Sequence, residues 1–290
     1  MTILITGAAG RTSGYVIRAL QRSPQPPALR LLVRSEGSAK KVQETYGVGP
    51  SSVAITDYLE RKSLHAALQG VDVVFHNGPS FNSQEAAMGI AVIDAAREAG
   101  VKHFVYCSVL FSLLTKLLNH KPKLAVEEYL IESGLNYTII QPTSFMQNFD
   151  IRDAVSNGKL IYSFNSKIFQ GFLDLEDNAA IASLILLDPT PHNRARYELV
   201  GENTTLEDVA KLLEDISGKS ITCEPLAREQ LIASIAKKGG PEAENFAEGL
   251  DRMLYYYDKR GIPGNPNTVR WLLGREPTSW RAVIERALKE

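Results

Sequence analysis

Up to about residue 142 the chain alternates short, largely apolar runs with stretches of helical apolar period. The runs Thr2–Thr6, Leu29–Val33, Ser52–Thr56, Val71–His76, Phe104–Ser108 and Tyr137–Gln141 are rich in Val, Ile and Leu. They lack a polar face, as strands buried on both sides require. Between them the pattern predicts helices at Gly14–Arg22, Ala39–Thr45, Leu59–Gln69, Gln84–Ala99 and Pro122–Ser133. Regular β-α alternation with right-handed crossovers predicts an α/β fold, a Rossmann-type doubly wound parallel sheet. Such sheets bind ligands beyond the carboxyl ends of their strands, so function is sought in the residues that close each strand. After Pro142 the character changes. Phe172–Leu175 and Tyr197–Val200 read as strands, and Asp177–Leu187 as a helix stopped by Asp188-Pro189. Thr204-Thr205-Leu206-Glu207 has capping-box spacing ahead of a helix to about Ser217, with Gly218 placed to end it. Residues 1–150 are expected to form an NAD(P)-binding domain. Residues 151–290 are expected to form a smaller C-terminal α/β lobe that supplies the other wall of a cleft.

Composition narrows the function. The 290 residues are 44% hydrophobic with a formal net charge of −1, enough for a substantial core. Basic and acidic residues nearly cancel and no basic block stands out, so neither nucleic acid nor an anionic membrane is expected as a partner. No apolar run reaches the ~20 residues needed to span a bilayer. A strand beginning at residue 2 leads us to expect no signal or transit peptide. The two cysteines, Cys107 and Cys223, have no metal-ligand spacing, which predicts no metal site and a reducing, cytoplasmic location.

The strand ends carry the chemistry. Ile3 to Ile5 run into Gly7-Ala8-Ala9-Gly10, then Arg11 and Thr12 open a helix. Gly7 and Gly10 allow a tight turn and close approach of a pyrophosphate, which the amides and dipole of the helix start would hold. The spacing is G-x-x-G-x-x-x-G, with Ser13 where a third glycine is usual. A glycine-rich turn with no ligand is the alternative. The second strand ends in Arg34-Ser35, where an acidic residue would read a free ribose hydroxyl and an arginine suits a 2′-phosphate. Arg34, with Lys40 and Lys41 downstream, points to NADP(H); the lysines also fit a solvated helix start. Asp57 and Tyr58 close the third strand where adenine would lie, through the carboxylate and the Tyr58 backbone amide, or else simply form a turn. Asn77, Gly78 and Pro79 after the fourth strand would let ribose and diphosphate pass close to backbone. His76 reads as structural.

Beyond the fifth strand, Cys107 reads as a small buried residue and Ser108 as a polar strand end. The stretch Leu110–Leu118 would line a pocket for an aromatic or otherwise apolar compound, or be plain core. Lys123 in the first turn of the next helix is the main ionisable candidate, as acid/base or as a ribose ligand. It could equally pair with Glu127 at i, i+4. Ser108 and His120 are weaker assistants. No tyrosine precedes Lys123 to give a Tyr-x-x-x-Lys pair, and the matches Tyr58/Lys62 and Tyr255/Lys259 fall elsewhere.

Several segments together resemble the NmrA-like family of atypical short-chain dehydrogenase/reductases. They are Thr6–Thr12, Val33-Arg34, Val101–Tyr106, Asn119-His120 with Lys123 and Glu127-Glu128, Ser133–Pro142 and Phe145–Asn148. The tail from Gly261 to Trp280 looks like fungal members. The resemblance implies a dinucleotide fold with Pro142 and Phe145 beside the cofactor, and a reductase of small carbonyl or phenolic compounds or a catalytically silent dinucleotide sensor. In the related isoflavone reductase-like enzymes a lysine is the proposed acid/base, which would fall on Lys123. Phe111 stands where relatives often have histidine, and Cys107 where they have serine, so this pocket is less polar. The expected function is an NADP(H)-dependent reductase of an apolar or aromatic small molecule, in secondary metabolism. The alternatives are an NADP-sensing regulator without turnover, acting as a homodimer or with a protein partner, and a non-redox isomerase or cyclase.

Overall fold

The structure is a computed structural model that describes residues 1–237 and 240–289. Its first half alternates as expected: β1 (Thr2–Ile5), α1 (Arg11–Gln21), β2 (Ala28–Val33), α2 (Glu36–Tyr46), β3 (Val53–Ile55) and α3 (Arg61–Leu68). There follow β4 (Val73–His76), α4 (Glu85–Glu98), β5 (His103–Cys107), α5 (Lys121–Glu132) and β6 (Tyr137–Pro142). Next come β7 (Ser144–Phe145), α6 (Ile151–Asn157), β8 (Lys159–Tyr162), β9 (Gln170–Leu173), α7 (Leu175–Leu187) and β10 (Ala195–Leu199). The chain closes with β11 (Glu202–Thr204), α8 (Leu206–Ser217), β12 (Thr222–Pro225), α9 (Arg228–Ala236), α10 (Pro241–Arg260), α11 (Asn267–Leu273) and α12 (Trp280–Lys289).

Seven strands form one sheet in the order β10-β6-β5-β4-β1-β2-β3, all pairs parallel. Alternation sends Ile3 and Ile5 to one face, with Val16, Ile17 and Leu20 of α1 and Ile181 and Ile185 of α7. Leu4 points to the other face, with Leu64 of α3, Ile93 of α4 and Val126 of α5. Strand order reverses between β1 and β4, and the crevice for a ligand opens there, beyond their carboxyl ends. The α4–α5 contact is close because Gly89 lacks a side chain: a Cβ there would lie 2.5 Å from Val126 Cγ2.

The segment 151–290, expected as a smaller lobe packed on the first, also supplies part of the main sheet. After β9 the chain returns through α7, packed on α1, and supplies β10 as the seventh strand of the main sheet. Apolar α7 thus belongs to the dinucleotide half. What remains apart is a small sheet β11-β9-β7 and the parallel pair β12-β8, around a core holding fully buried Trp280 against Phe172 at 5.2 Å. The cap of α8 sits one residue later than the spacing predicted. Thr205, not Thr204, is the N-cap, accepting from the Asp208 amide at 3.1 Å and donating to its carboxylate at 2.7 Å. Among the described residues no helix is long and apolar enough to cross a membrane.

Candidate dinucleotide and active site

Gly7 leaves β1 at φ +60°, in the left-handed region. A Cβ there would lie 2.8 Å from the Asn77 carbonyl oxygen at the end of β4, so only glycine lets the two strand ends come this close. Side chains lock the turn. Ser13 Oγ donates to the Thr6 carbonyl at 2.9 Å, Asn77 Nδ2 donates to Ser13 Oγ at 3.1 Å, and the Asn77 amide donates to Thr6 Oγ1 at 2.9 Å. Ser13, standing where a third glycine is usual, is therefore part of the brace. Helix α1 starts at Gly10 with no side-chain cap and no acid in its first turn. Its first amides have no intrahelical acceptor, and the positive dipole end faces the turn. That is the cradle a diphosphate needs, and the residues present fit one.

A cavity of about 330 Å³ runs from this turn across β2 and β3. Gly7, Ala9 and Gly10 line it from the glycine turn, Arg34 from the end of β2, Asp57 and Tyr58 from beyond β3, and Asn77, Gly78 and Pro79 from beyond β4. Ser38, Thr56 and Met88 also line it and escaped the sequence reading. Arg34 is exposed and makes no ion pair with any described residue, which leaves its guanidinium available to an anion. Asp57 Oδ1 accepts from the Leu59 amide at 2.9 Å, closing the strand-end turn beside the cavity. The Tyr58 side chain reaches back to the glycine turn, its hydroxyl accepting from the Gly7 amide at 2.9 Å. Burial, partly offset by that bond and by the Arg34 charge, pushes the phenol above its usual range.

Other expected cofactor residues lie outside this cavity. Ser35 is the N-cap of α2, accepting from the Ser38 amide at 3.3 Å, and so presents Ser38 to the cavity in its place. Lys40 points away on the exposed face of α2; Lys41 borders a neighbouring cleft with Arg11 and Arg18. Arg11 turns toward the second half, donating to the Gln147 carbonyl at 2.6 Å and to Asn148 Oδ1. Thr12 is half-buried in α1. Pro142 is buried at the end of β6, where its carbonyl accepts from Leu110, and Phe145 packs into the core on β7.

The ionisable cluster beyond β4 and β5 differs from the expectation. Lys123 does not pair with Glu127. Its Nζ donates to Glu85 Oε1 of α4 at 2.7 Å, and the two side chains are only 6% and 2% exposed. Burial pushes the Glu85 carboxyl up and the Lys123 charge partly restores it. Glu127 is taken by other donors: Gln141 Nε2 at 2.8 Å, Arg196 at 2.9 Å and the Ser108 hydroxyl. With its proton given to a carboxylate, Ser108 has no donor left for a substrate oxygen. His120 shares a hydrogen bond with the Phe111 carbonyl through Nδ1, leaving Nε2 buried without a partner. Burial lowers its pKa to about 4. His76 is held at Thr6 Oγ1, stacks on Tyr106 and is pushed by burial to about 3, a neutral structural ring as its strand-end position suggested. Burial lifts the Cys107 thiol to about 11, so it is no nucleophile.

The stretch after β5 splits in two. Leu110, Phe111 and Leu114 pack against Val200, Met253, Tyr256, Tyr257 and Ile262, so α10 roofs this region, while Leu113 stays exposed. The same helix grips the loop between β4 and α4: Asn245 Nδ2 donates to the Phe81 carbonyl at 2.6 Å and Phe246 packs on the Phe81 ring.

Comparison with known proteins agrees with this geometry. Quinone oxidoreductase 2 of Escherichia coli is 29% identical over 285 residues, 96% of this chain and 95% of that one. The NAD(P)H azoreductase of Xenophilus azovorans is 29% identical over 276 residues, 94% and 93% of the two chains. The crystal structure of the E. coli NADPH-dependent quinone oxidoreductase complexed with NADPH superposes with a TM-score of 0.80, covering 99% of both chains at 26% identity. The profile of the NmrA-like family matches residues 1–282. With a doubly wound sheet, a braced glycine turn and an arginine at the end of β2, this chain belongs to the NmrA-like family.

Proposed function

We propose that this protein is an NADP(H)-dependent reductase of small aromatic acceptors, of the quinone or azo type that its relatives' names describe. One observation carries the reading: the uncapped start of α1 at Gly10 and the exposed Arg34, without an ion-pair partner among the described residues, line the same cavity. That pair suits a diphosphate at the helix start and a 2′-phosphate at the guanidinium. Bound NADPH supplies the hydride. The chain's residues grip the cofactor, and Lys123 holds the proton that a neutral acceptor takes up with each hydride. Free Cys107 and Cys223 suit a reducing compartment, so we place the enzyme in the cytosol.

A second reading has its own support. Lys123 is closed into an ion pair and the Ser108 proton is committed to Glu127, as in a protein that binds NADP without turnover and signals to a protein partner or a second copy. NADPH fluorescence titration followed by NADPH oxidation with a simple quinone and an azo dye separates the two. Binding tighter for NADPH than NADH, with acceptor-dependent oxidation, is the expected result. Saturable binding with no oxidation by either acceptor class refutes the reductase and leaves the sensor.

A further inference from the structure

The first turn of α5 is a poor place for a buried cation, because the helix start is itself positive. Lys123 nevertheless sits there, and the carboxylate that compensates it comes from another helix. Glu85 is the first residue of α4, directly after the loop that carries Asn77, Gly78 and Pro79. Met88, three residues on and hence on the same side of α4, lines the dinucleotide cavity. Glu85 thus sits on the helix that also lends Met88 to the cavity wall, and from there it reaches Lys123. Glu127, one turn along α5, cannot replace it, being saturated by Ser108, Gln141 and Arg196. We propose that Glu85 is a positioning residue that fixes Lys123 as an ammonium behind the carboxyl ends of β4 and β5, which makes this pair the proton store of the reduction. The inference rests on the reading of Lys123 as proton carrier.

Other groups around the ammonium do not offer a competing counter-charge. Its charge is felt by His76 at the end of β4, Cys107 at the end of β5 and His120 at the start of α5, while Tyr106 of β5 lies within the field of the Glu85 carboxylate. Burial keeps the two imidazoles, the phenol and the thiol uncharged, and the one further carboxylate nearby, Glu127, already has Arg196. Spare hydrogen-bonding capacity remains beside the pair: Glu85 Oε2, His120 Nε2 and Asn119 Oδ1 are buried without partners. In the reduction one hydride and one proton reach the neutral acceptor, the Lys123 ammonium becomes an amine, and a solvent proton restores it.

The test reads the lysine directly. Protein labelled with carbon-13 at lysine Cε is titrated by NMR, the Lys123 signal being assigned by its loss in Lys123→Met. Glu85→Gln keeps the shape and removes the charge, and should move the Lys123 titration down by about one pH unit or more. An unmoved titration overturns the role of Glu85 whatever the activity shows. Activity then tests the underlying reading. Quinone reduction falling about 100-fold in Lys123→Met supports Lys123 as proton carrier. Full activity in that variant removes Lys123 from the mechanism and the proton store with it. A normal Lys123→Met loss with an unmoved Glu85→Gln titration removes Glu85 alone.

Discussion

Substituting Gly7 by alanine separates backbone strain from steric contact, because the chain contains its own control. Gly7 has φ +60°, and its added Cβ would lie 2.8 Å from a backbone oxygen held by the Asn77–Thr6 bond. Gly100 has φ +72°, and a Cβ there meets nothing within 4 Å. Left-handed backbone costs a non-glycine residue about 1–2 kcal/mol, and Gly100→Ala should cost that alone. Gly7→Ala adds an overpacking cost of about 1–3 kcal/mol, because a carbonyl cannot rotate away as a flexible side chain would. The expected total is about 2–5 kcal/mol. Urea unfolding followed by tryptophan fluorescence can measure it, since Trp280 is fully buried and reports the core. Trp271, 74% exposed, contributes an almost constant background. Displacing the turn also displaces the amides at the start of α1, so NADPH affinity should fall in Gly7→Ala and stay unchanged in Gly100→Ala. Equal destabilisation of the two variants would refute the claim that β1 and β4 meet at a glycine-only contact.

Four further outcomes follow from the same geometry. Tyr58→Phe strands the Gly7 amide and should cost about 1–3 kcal/mol, with weaker NADPH binding by fluorescence titration. Arg34→Ala should weaken NADPH by about 1.5–3 kcal/mol, roughly 10- to 100-fold in Kd, and leave NADH almost unaffected. Glu127→Ala removes the acceptor of Ser108, Gln141 and Arg196 and should destabilise by about 3 kcal/mol or more, seen as a lower urea midpoint. His76 has a pKa of about 3 when folded against 6.5 for an ordinary histidine, so between those values the unfolded chain binds more protons and stability rises with pH. Its contribution is complete above about pH 6.5 and is lost as pH falls toward 3, so His76→Gln should flatten the acid limb of a stability–pH curve.

What was legible in the sequence is what a local pattern can encode. The strands of the main sheet up to Pro142 were visible as apolar runs, and the glycine turn and Arg34 as punctuation at their ends, because the residues that close these strands also line the cavity. The partner of Lys123 was not visible. Sequence spacing offered Glu127 at i, i+4, but the α4–α5 contact set by Gly89 brings Glu85, 38 residues away, within 2.7 Å. Glu127 in turn is claimed by Arg196 of β10, a strand that the change of pattern after Pro142 assigned to another lobe. Ser35 shows a smaller version of the same limit. Its position at the end of β2 suggests a cofactor contact, while its oxygen caps α2 and Ser38 lines the cavity wall. Nothing in the pattern before α10 signals that this helix holds the loop ahead of α4.

The two halves of the site are built on opposite electrostatic plans. In the cofactor half, charge and donors are left open: α1 starts without a side-chain cap and Arg34 has no carboxylate partner among the described residues. The missing anion is then the ligand itself, and its binding free energy is the compensation that folding left unsupplied. In the half around α5 the buried charges are balanced inside the protein, Lys123 by Glu85 and Glu127 by Arg196. Burying an unpaired ammonium there would cost several kcal/mol and would drive it to give up its proton before a substrate arrived. On the proposed reading of Lys123 as proton carrier, a buried ammonium needs a carboxylate of its own, placed where cofactor and acceptor would not displace it. The start of α4 meets that need, because the turn before it is held on one side by the dinucleotide cavity and on the other by Asn245 of α10.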